Sequence, residues 1–174
     1  VDLNLINPDE YIDIPRRLQL GSKIISDTKS YEKLTPKEII AYSSQVGASK
    51  IALLLGYDNL KANYYNFGFS KPISINFPSS AFGLINAKES ISDRELASLG
   101  YGYGFTVSPF QITAAYSVFA NRGILKDFKL IMGDEVTSKR VISVSSANHT
   151  LEALQKVIKI GTGRRAKVLN RSDI

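Results

Sequence analysis

Cysteine is absent from all 174 residues. The chain therefore has neither a disulfide framework nor a thiolate metal site, and cysteine usage leaves its compartment open. Histidine is almost as scarce. His149 stands alone, without a second histidine at H-E-x-x-H spacing, so no zinc pattern is present and a helix-surface imidazole is expected there. Long apolar runs are missing too: Ile51-Ala52-Leu53-Leu54-Leu55 is far below the ~20 residues that span a bilayer, so the chain itself is not expected to be membrane-embedded. Neither an initiator methionine nor a secretory signal accompanies the abrupt start at Val1-Asp2-Leu3, which leads us to expect an excised or processed piece.

Basic residues outnumber acidic ones, 22 against 16, but they are spread along the chain, and the densest run, Arg164-Arg165-Ala166-Lys167, is short. No zinc-finger, RNA-binding or basic-zipper pattern accompanies them, so a solvated basic face is expected and nucleic acid is not an expected partner. A basic polymer-binding domain, which would bind in a strongly salt-dependent way, ranks last among the readings. With 44% hydrophobic residues the chain can bury one core of ordinary size, so one domain or a large piece of one is expected.

Residues 1–34, with Pro8, Pro15 and Arg16-Arg17, read as an irregular or short-stranded opening segment. Residues 35–174 read as the body of the domain. Thr35-Pro36-Lys37-Glu38 carries a capping hydroxyl, a proline at the first helical position and a glutamate that can reach back, predicting a helix to about Ser44. Apolar spacing predicts a second helix over 46–55, ended by Gly56, and a third from Asp58 through Tyr65, closed near Gly68. The stretch 71–86 has loop chemistry with brief extended runs such as Ile73-Ser74-Ile75. Capping signatures recur at Ser92-Asp93-Arg94-Glu95 and Ser108-Pro109-Phe110-Gln111, predicting helices to Gly100 and to Arg122, the latter closed by Gly123. Arg140–Ser143 is the best strand candidate in the irregular stretch 124–144. Ser145 or Ser146 is expected to cap a final amphipathic helix ended by Gly161, before an extended tail over 166–169.

Three motifs invite chemical readings. Gly100-Tyr101-Gly102-Tyr103-Gly104 is glycine-rich, but it lacks both G-x-G-x-x-G and G-K-[ST], so a tight helix–helix connection is expected rather than a phosphate cradle. Two S-x-x-K strings, Ser26 to Lys29 and Ser30 to Lys33, have the spacing at which an amine can deprotonate a hydroxyl. They lie in polar surroundings that would not lower a lysine pKa, so both read as chance. Ser43-Ser44-Gln45 sits at a helix–helix joint, where hydroxyls ordinarily satisfy free backbone groups.

The joint has a further context. "SSQVGASKIALLLG" resembles the S-S-N-V-G-x-x-K-[IL]-A segment of the penicillin-binding proteins. "YYNFGFS" resembles their Y-x-x-F-G-F-G. "SISDRELASLGYGYGFTVSPFQITAAYSVFANRG" resembles their block running from S-x-x-E-[LI]-A through G-Y-G and T-P-[LI]-Q to A-N-x-G, and "GTGRRAKV" their G-T-G-x-x-A turn. The four blocks come in the family's order over most of residues 35–174, and the pattern is most like the class B, septal-type D,D-transpeptidases.

That resemblance implies an α+β, mainly helical structure, the helical part of the penicillin-binding protein and serine β-lactamase-like transpeptidase fold, with 35–174 a partial transpeptidase domain. It implies peptidoglycan cross-linking in the bacterial periplasm by serine acyl transfer, with a D-Ala-D-Ala stem peptide as substrate and β-lactams as traps. No cofactor and no metal are implied. Division or elongation proteins would be partners, and any membrane anchor would lie outside this chain. Of the family's three site motifs, S-x-x-K, S-x-N and K-[ST]-G, only the middle one is matched. The nucleophile's motif is expected before Val1 and the K-T-G just after Ile174, which would leave this chain alone inactive. Lys159-Ile160-Gly161-Thr162-Gly163 is better explained by the G-T-G block.

Ser43 is the implied proton-shuttling hydroxyl. Gln45 takes the asparagine position that would hold the substrate's acyl backbone, one methylene longer than the family's residue. Ser44 reads as a spacer. The glycine string and the Ser108-Pro109 cap read as scaffold. A second reading, a non-catalytic scaffold or partner-binding module, takes Gln45 as the mark of lost chemistry. A removed strand would also leave an open sheet edge through which chains could associate.

Overall fold

In the protein's structure, a computed structural model, residues 2–72, 82–85, 88–129 and 137–166 are described. The opening segment makes two small antiparallel pairs. β1 (Ile12–Asp13) lies against β4 (Lys33–Leu34), and β2 (Leu18–Leu20) returns through Gly21 as β3 (Lys23–Ile25). Helices follow: α1 (Pro36–Tyr42), α2 (Gln45–Leu55), α3 (Tyr57–Asn66), α4 (Asp93–Gly100) and α5 (Pro109–Ala120). The third pair joins β5 (Ile124–Lys126) to β6 (Ser138–Arg140), after which come α6 (Val144–Lys159) and a 3-10 turn at Arg164–Ala166. The architecture is α+β and mainly helical.

The capping boxes set the helix starts. Thr35, Ser92 and Ser108 each accept from the backbone three residues on, while Glu38, Glu95 and Gln111 reach back to the cap amide, so orphan amides at both positions are satisfied. The final helix departs from expectation: Ser143, not Ser145 or Ser146, is its cap. The strand expected at Arg140–Ser143 lies earlier, at Ser138–Arg140, where it pairs with β5, and Ser143 is taken by the helix start. The run at Ile73 and the tail at 167–169 lie outside the described residues.

α1 packs on α6 and α2 on α4. Ile14, Ile25 and Leu34 from the opening segment share a buried cluster with Ile39, Val46 and Ala97. At the α2–α4 contact the side chains are small. A Cβ on Gly100 would come within 2.5 Å of Ala52 Cβ, so only glycine lets the helices approach this closely.

Gln111 joins distant segments. It is only 1% exposed; its Oε1 accepts from Ser108 N (2.9 Å) and Gly83 N (3.0 Å), and its Nε2 donates to the carbonyls of Gly68 and Lys71 (both 3.2 Å). The full hydrogen-bonding capacity of a buried amide is used.

Polar anchors hold the first ten residues. Burial alone would raise the Asp2 carboxyl, but hydrogen bonds from Ser143 Oγ (2.6 Å), Ser146 Oγ (2.6 Å) and Ser143 N (3.0 Å) bring it below its ordinary value. Lys37, 9% exposed, bridges Asp9 (2.8 Å) and Glu152 (2.6 Å). His149 is not the surface imidazole expected: its side chain is 31% exposed and its Nδ1 is buried, 3.7 Å from Glu152 Oε2, with no hydrogen bond. The packing of α6 on α1 beside the Lys37 cluster turns the ring inward.

Replacing Gln111 with leucine is expected to cost about 3 kcal/mol or more, since several buried backbone groups lose their partner. Urea denaturation measures this, and a loss under 1 kcal/mol, roughly one ordinary hydrogen bond, would contradict the network. Acid gives a second test. The Lys88 ammonium, donating at 2.6 Å, holds Glu95 down to about 2, assisted by Ser92 N and Oγ. Its contribution to stability is complete above the ordinary 4.5 and lost as pH falls through about 2. Lys88→Met is expected to flatten the fall in urea midpoint between about pH 4 and pH 2, and an unchanged profile would refute that origin.

Candidate active-site corner

Two helix ends meet at Ser43 and Ser44. Ser43 N donates to Ile40 O (3.2 Å) and Ser44 N to Ile39 O (2.9 Å), the bond pair of a Schellman ending. Such an ending needs a left-handed residue, and Ser43 supplies it with φ 56° and ψ 45°. Glycine is the usual occupant, since a side chain here costs roughly 1–2 kcal/mol. Ser43 is exposed at the corner, and its strained backbone aims the hydroxyl.

Ser44 is not a spacer. Its Oγ accepts from Gly47 N (2.9 Å), capping α2, and donates to Asp27 Oδ2 (2.6 Å), while Asp27 Oδ1 accepts from Val46 N (3.1 Å). A carboxylate thus satisfies the Val46 amide in the first turn of α2 and orients the Ser44 cap, where the helix dipole favours negative charge. The correction has a simple cause: one serine serves as the second residue of a helix ending and the cap of the next helix.

The G-T-G turn approaches from the other side. Thr162 N donates to Ala41 O (3.1 Å), a terminal carbonyl of α1, and the Thr162 and Ser43 hydroxyl oxygens are 3.2 Å apart. A Cβ on Gly161 would run into that carbonyl, so the turn fits only as glycine. Lys159–Gly163 therefore forms the end of α6 and its docking turn. Gln45 is exposed as the first residue of α2, and its amide makes no hydrogen bond among the described residues.

The two S-x-x-K strings do not build a nucleophile. Ser26, Ser30, Lys29 and Lys33 are exposed, and Lys33 lies 3.6 Å from Asp13. The glycine string is a connector: Gly102 and Gly104 are left-handed, and Tyr64, whose phenol burial pushes up to about 12, donates to Leu99 O at 2.7 Å beside it. Among the described residues no group of three or more His, Asp or Glu is arranged to hold a metal.

Asp27 and Thr162 had no sequence signal as partners of the corner. Asp27 sits in a polar Ser-Asp-Thr string like any turn aspartate, and Thr162 lies 119 residues from Ser43. The resemblance to an ordered set of blocks was the one cue that the first and the last belong together.

An α+β, mainly helical layer whose Ser43 corner is docked by a G-T-G turn is the helical part of the penicillin-recognising transpeptidase fold. The family described as "Penicillin binding protein transpeptidase domain" matches residues 1–172, and the chain belongs to it. The peptidoglycan D,D-transpeptidase FtsI of Escherichia coli K12 is 30% identical over 140 residues, which make up 80% of this chain and 24% of that protein. FtsI of Buchnera aphidicola from Schizaphis graminum is 29% identical over 140 residues, 80% of this chain and 25% of its own length. The apo transpeptidase domain of Burkholderia pseudomallei penicillin-binding protein 3 superposes with a TM-score of 0.89 at 28% identity, covering 97% of this chain and 52% of that one. The chain thus spans about a quarter of the length of these two curated relatives.

Ser43→Gly is expected to raise stability by about 1 kcal/mol by removing the left-handed strain. Asp27→Ala is expected to lower it by about 2 kcal/mol by stripping two capping bonds. Guanidinium unfolding of both variants is the check; a destabilised glycine variant or a neutral Asp27 variant would contradict the geometry.

Proposed function

We propose that this chain supplies the S-x-N side of a peptidoglycan D,D-transpeptidase site, within one domain in which 1–34 opens and 35–174 continues a partial transpeptidase fold. The nucleophilic serine with its lysine, and the K-T-G strand, come from residues outside these 174. In the reaction that serine attacks the penultimate D-Ala carbonyl of a stem peptide, the peptide C–N bond breaks, and the terminal D-Ala leaves as a free amine that has taken up the proton given up by the serine. Attack by an amine of a second stem peptide then releases the serine and forms the cross-link. Ser43 relays the proton between lysine and leaving group, which requires hydrogen-bond reach and not a shifted pKa. Gln45 presents its free amide to the acyl backbone of the donor.

The observation that carries this reading is the left-handed Ser43 held against Thr162. A strained, exposed hydroxyl fixed from two distant blocks is the arrangement a proton relay needs. The site would face the periplasm, on a protein anchored through another segment and working with division or elongation proteins. β-Lactams would acylate the same external serine. Gln45 favours a second reading, a scaffold that keeps the fold without the chemistry.

A fluorescent penicillin separates them. The 174-residue chain is expected to remain unlabelled, while the chain extended at both ends through the flanking motifs becomes covalently labelled, with Ser43→Ala in the extended protein lowering the acylation rate about 10²-fold or more. Failure of the extended protein to label supports the scaffold, and labelling of the short chain overturns the assignment of roles.

A further inference from the structure

Away from the Ser43 corner, the β2–β3 hairpin stands beside α4 and the two enclose a hollow of about 570 Å³. Its size is that of a small-molecule or short-peptide site. The walls combine positive charge with apolar surface: Lys23, Lys88 and Arg94 stand around Ile91, Leu99 and Tyr103. One acidic side chain, Glu95, lines it too, and it is already paired with Lys88 at 2.6 Å. The net charge presented to a ligand is therefore positive.

Two of the cations are available in different ways. Lys23 Nζ donates to Ser98 Oγ (2.8 Å) and stands 5.6 Å from the ring centroids of both Tyr101 and Tyr103. One of its three donors is spent on Ser98, so the ammonium is held in place with hydrogen-bonding capacity left. Ser98 in turn donates to Arg94 O at 2.7 Å and is buried, which makes it a fixed strut and not a nucleophile. Arg94 is exposed, and its guanidinium has no ion pair or hydrogen bond among the described residues. A planar fork of donors left open at the lip of a hollow suits a carboxylate. Tyr103, 69% exposed, supplies an uncovered aromatic face next to it. A neighbouring hollow of about 450 Å³, lined by Gln19, Leu20, Gly21 and the acidic Asp93, shares Ser22 and Arg94 with the first, so Arg94 borders both.

We propose that the hollow between the β2–β3 hairpin and α4 is a binding site for a short, extended peptide bearing carboxylates, with Arg94 and Lys23 pairing the carboxylates and Tyr103, Ile91 and Leu99 receiving the aliphatic parts. The concave shape favours a short peptide over the flat face of a folded partner. That the peptide is a peptidoglycan stem rests on the function proposed above; the site itself does not.

The test uses the 174-residue chain and tri-glutamate as the probe, followed by amide chemical shifts and calorimetry, with tri-alanine amide and inorganic phosphate as comparisons. Tri-glutamate is expected to shift Lys23, Arg94, Tyr103 and Gly104 in saturable fashion, with affinity falling about tenfold in Arg94→Gln. Tri-alanine amide should not bind. Arg94 is exposed and outside the core, so the variant's spectrum reports directly whether it remains folded. Shifts scattered over other basic residues, equal affinity in Arg94→Gln, or phosphate binding as tightly as tri-glutamate would each overturn the proposal. Saturable binding of an acidic folded protein but not of tri-glutamate would overturn it in favour of a protein interface. Penicillin labelling of the extended protein is a separate readout, so either reading can fail alone.

Discussion

The turn at Ser43 and Ser44 is the constraint to which the rest of the structure answers. Two helices must end and begin within two residues, which leaves carbonyls of α1 and amides of α2 without helical partners and forces a serine into the left-handed region. Such a corner survives only if outside groups complete it. Asp27 does so for the Val46 amide of α2 and Thr162 for the carbonyl of Ala41. Each depends on its own support: Asp27 follows a β3 anchored by buried Ile25, and Thr162 follows an α6 packed on α1. The Lys37 bridge and the Asp2 anchor, which bind the first ten residues to α1 and α6, extend the same chain of support.

The four sequence blocks pair off through hydrogen bonds. The first, at the corner, is bound to the fourth, the G-T-G turn; the second, around Gly68, is bound to the third through Gln111. Their order along the chain therefore reflects a spatial design in which two remote pairs lock a small helical layer. The close α2–α4 approach at Gly100 links the pairs, because α2 begins at the corner and α4 leads through the glycine string toward the helix that carries Gln111. Rigidity at Ser43 is thus a property of the whole layer, as positioning a relay hydroxyl requires.

Local grammar made much of this legible. Thr35, Ser92 and Ser108 announced helix starts because a capping box is written within four residues, and Gly56 announced a helix end. Long-range polar pairing left no such trace. Asp27 with Ser44, Asp2 with Ser143, and Lys37 between Asp9 and Glu152 obey no period, so composition could read Ser44 as a spacer and His149 as a surface residue. The last helix start was misplaced by two or three residues because Ser143, Ser145 and Ser146 are chemically equivalent as caps; Asp2 accepts from the hydroxyls of both Ser143 and Ser146, and Ser143 is the one whose Oγ also accepts from the Ser146 amide. Ser43 and Gln45 were singled out by resemblance alone, and the structure adds the left-handed backbone and the Thr162 contact at Ser43.

Amide hydrogen exchange at the corner tests the central claim most directly. If Asp27 and the G-T-G turn hold it, the Val46, Gly47 and Thr162 amides should exchange slowly and open together with the α1–α6 core. Exchange of those amides at free-peptide rates, while Ala97 and Val118 in the buried layer stay protected, would mean that the corner is not held, and the account of Ser43 as a fixed relay would fall.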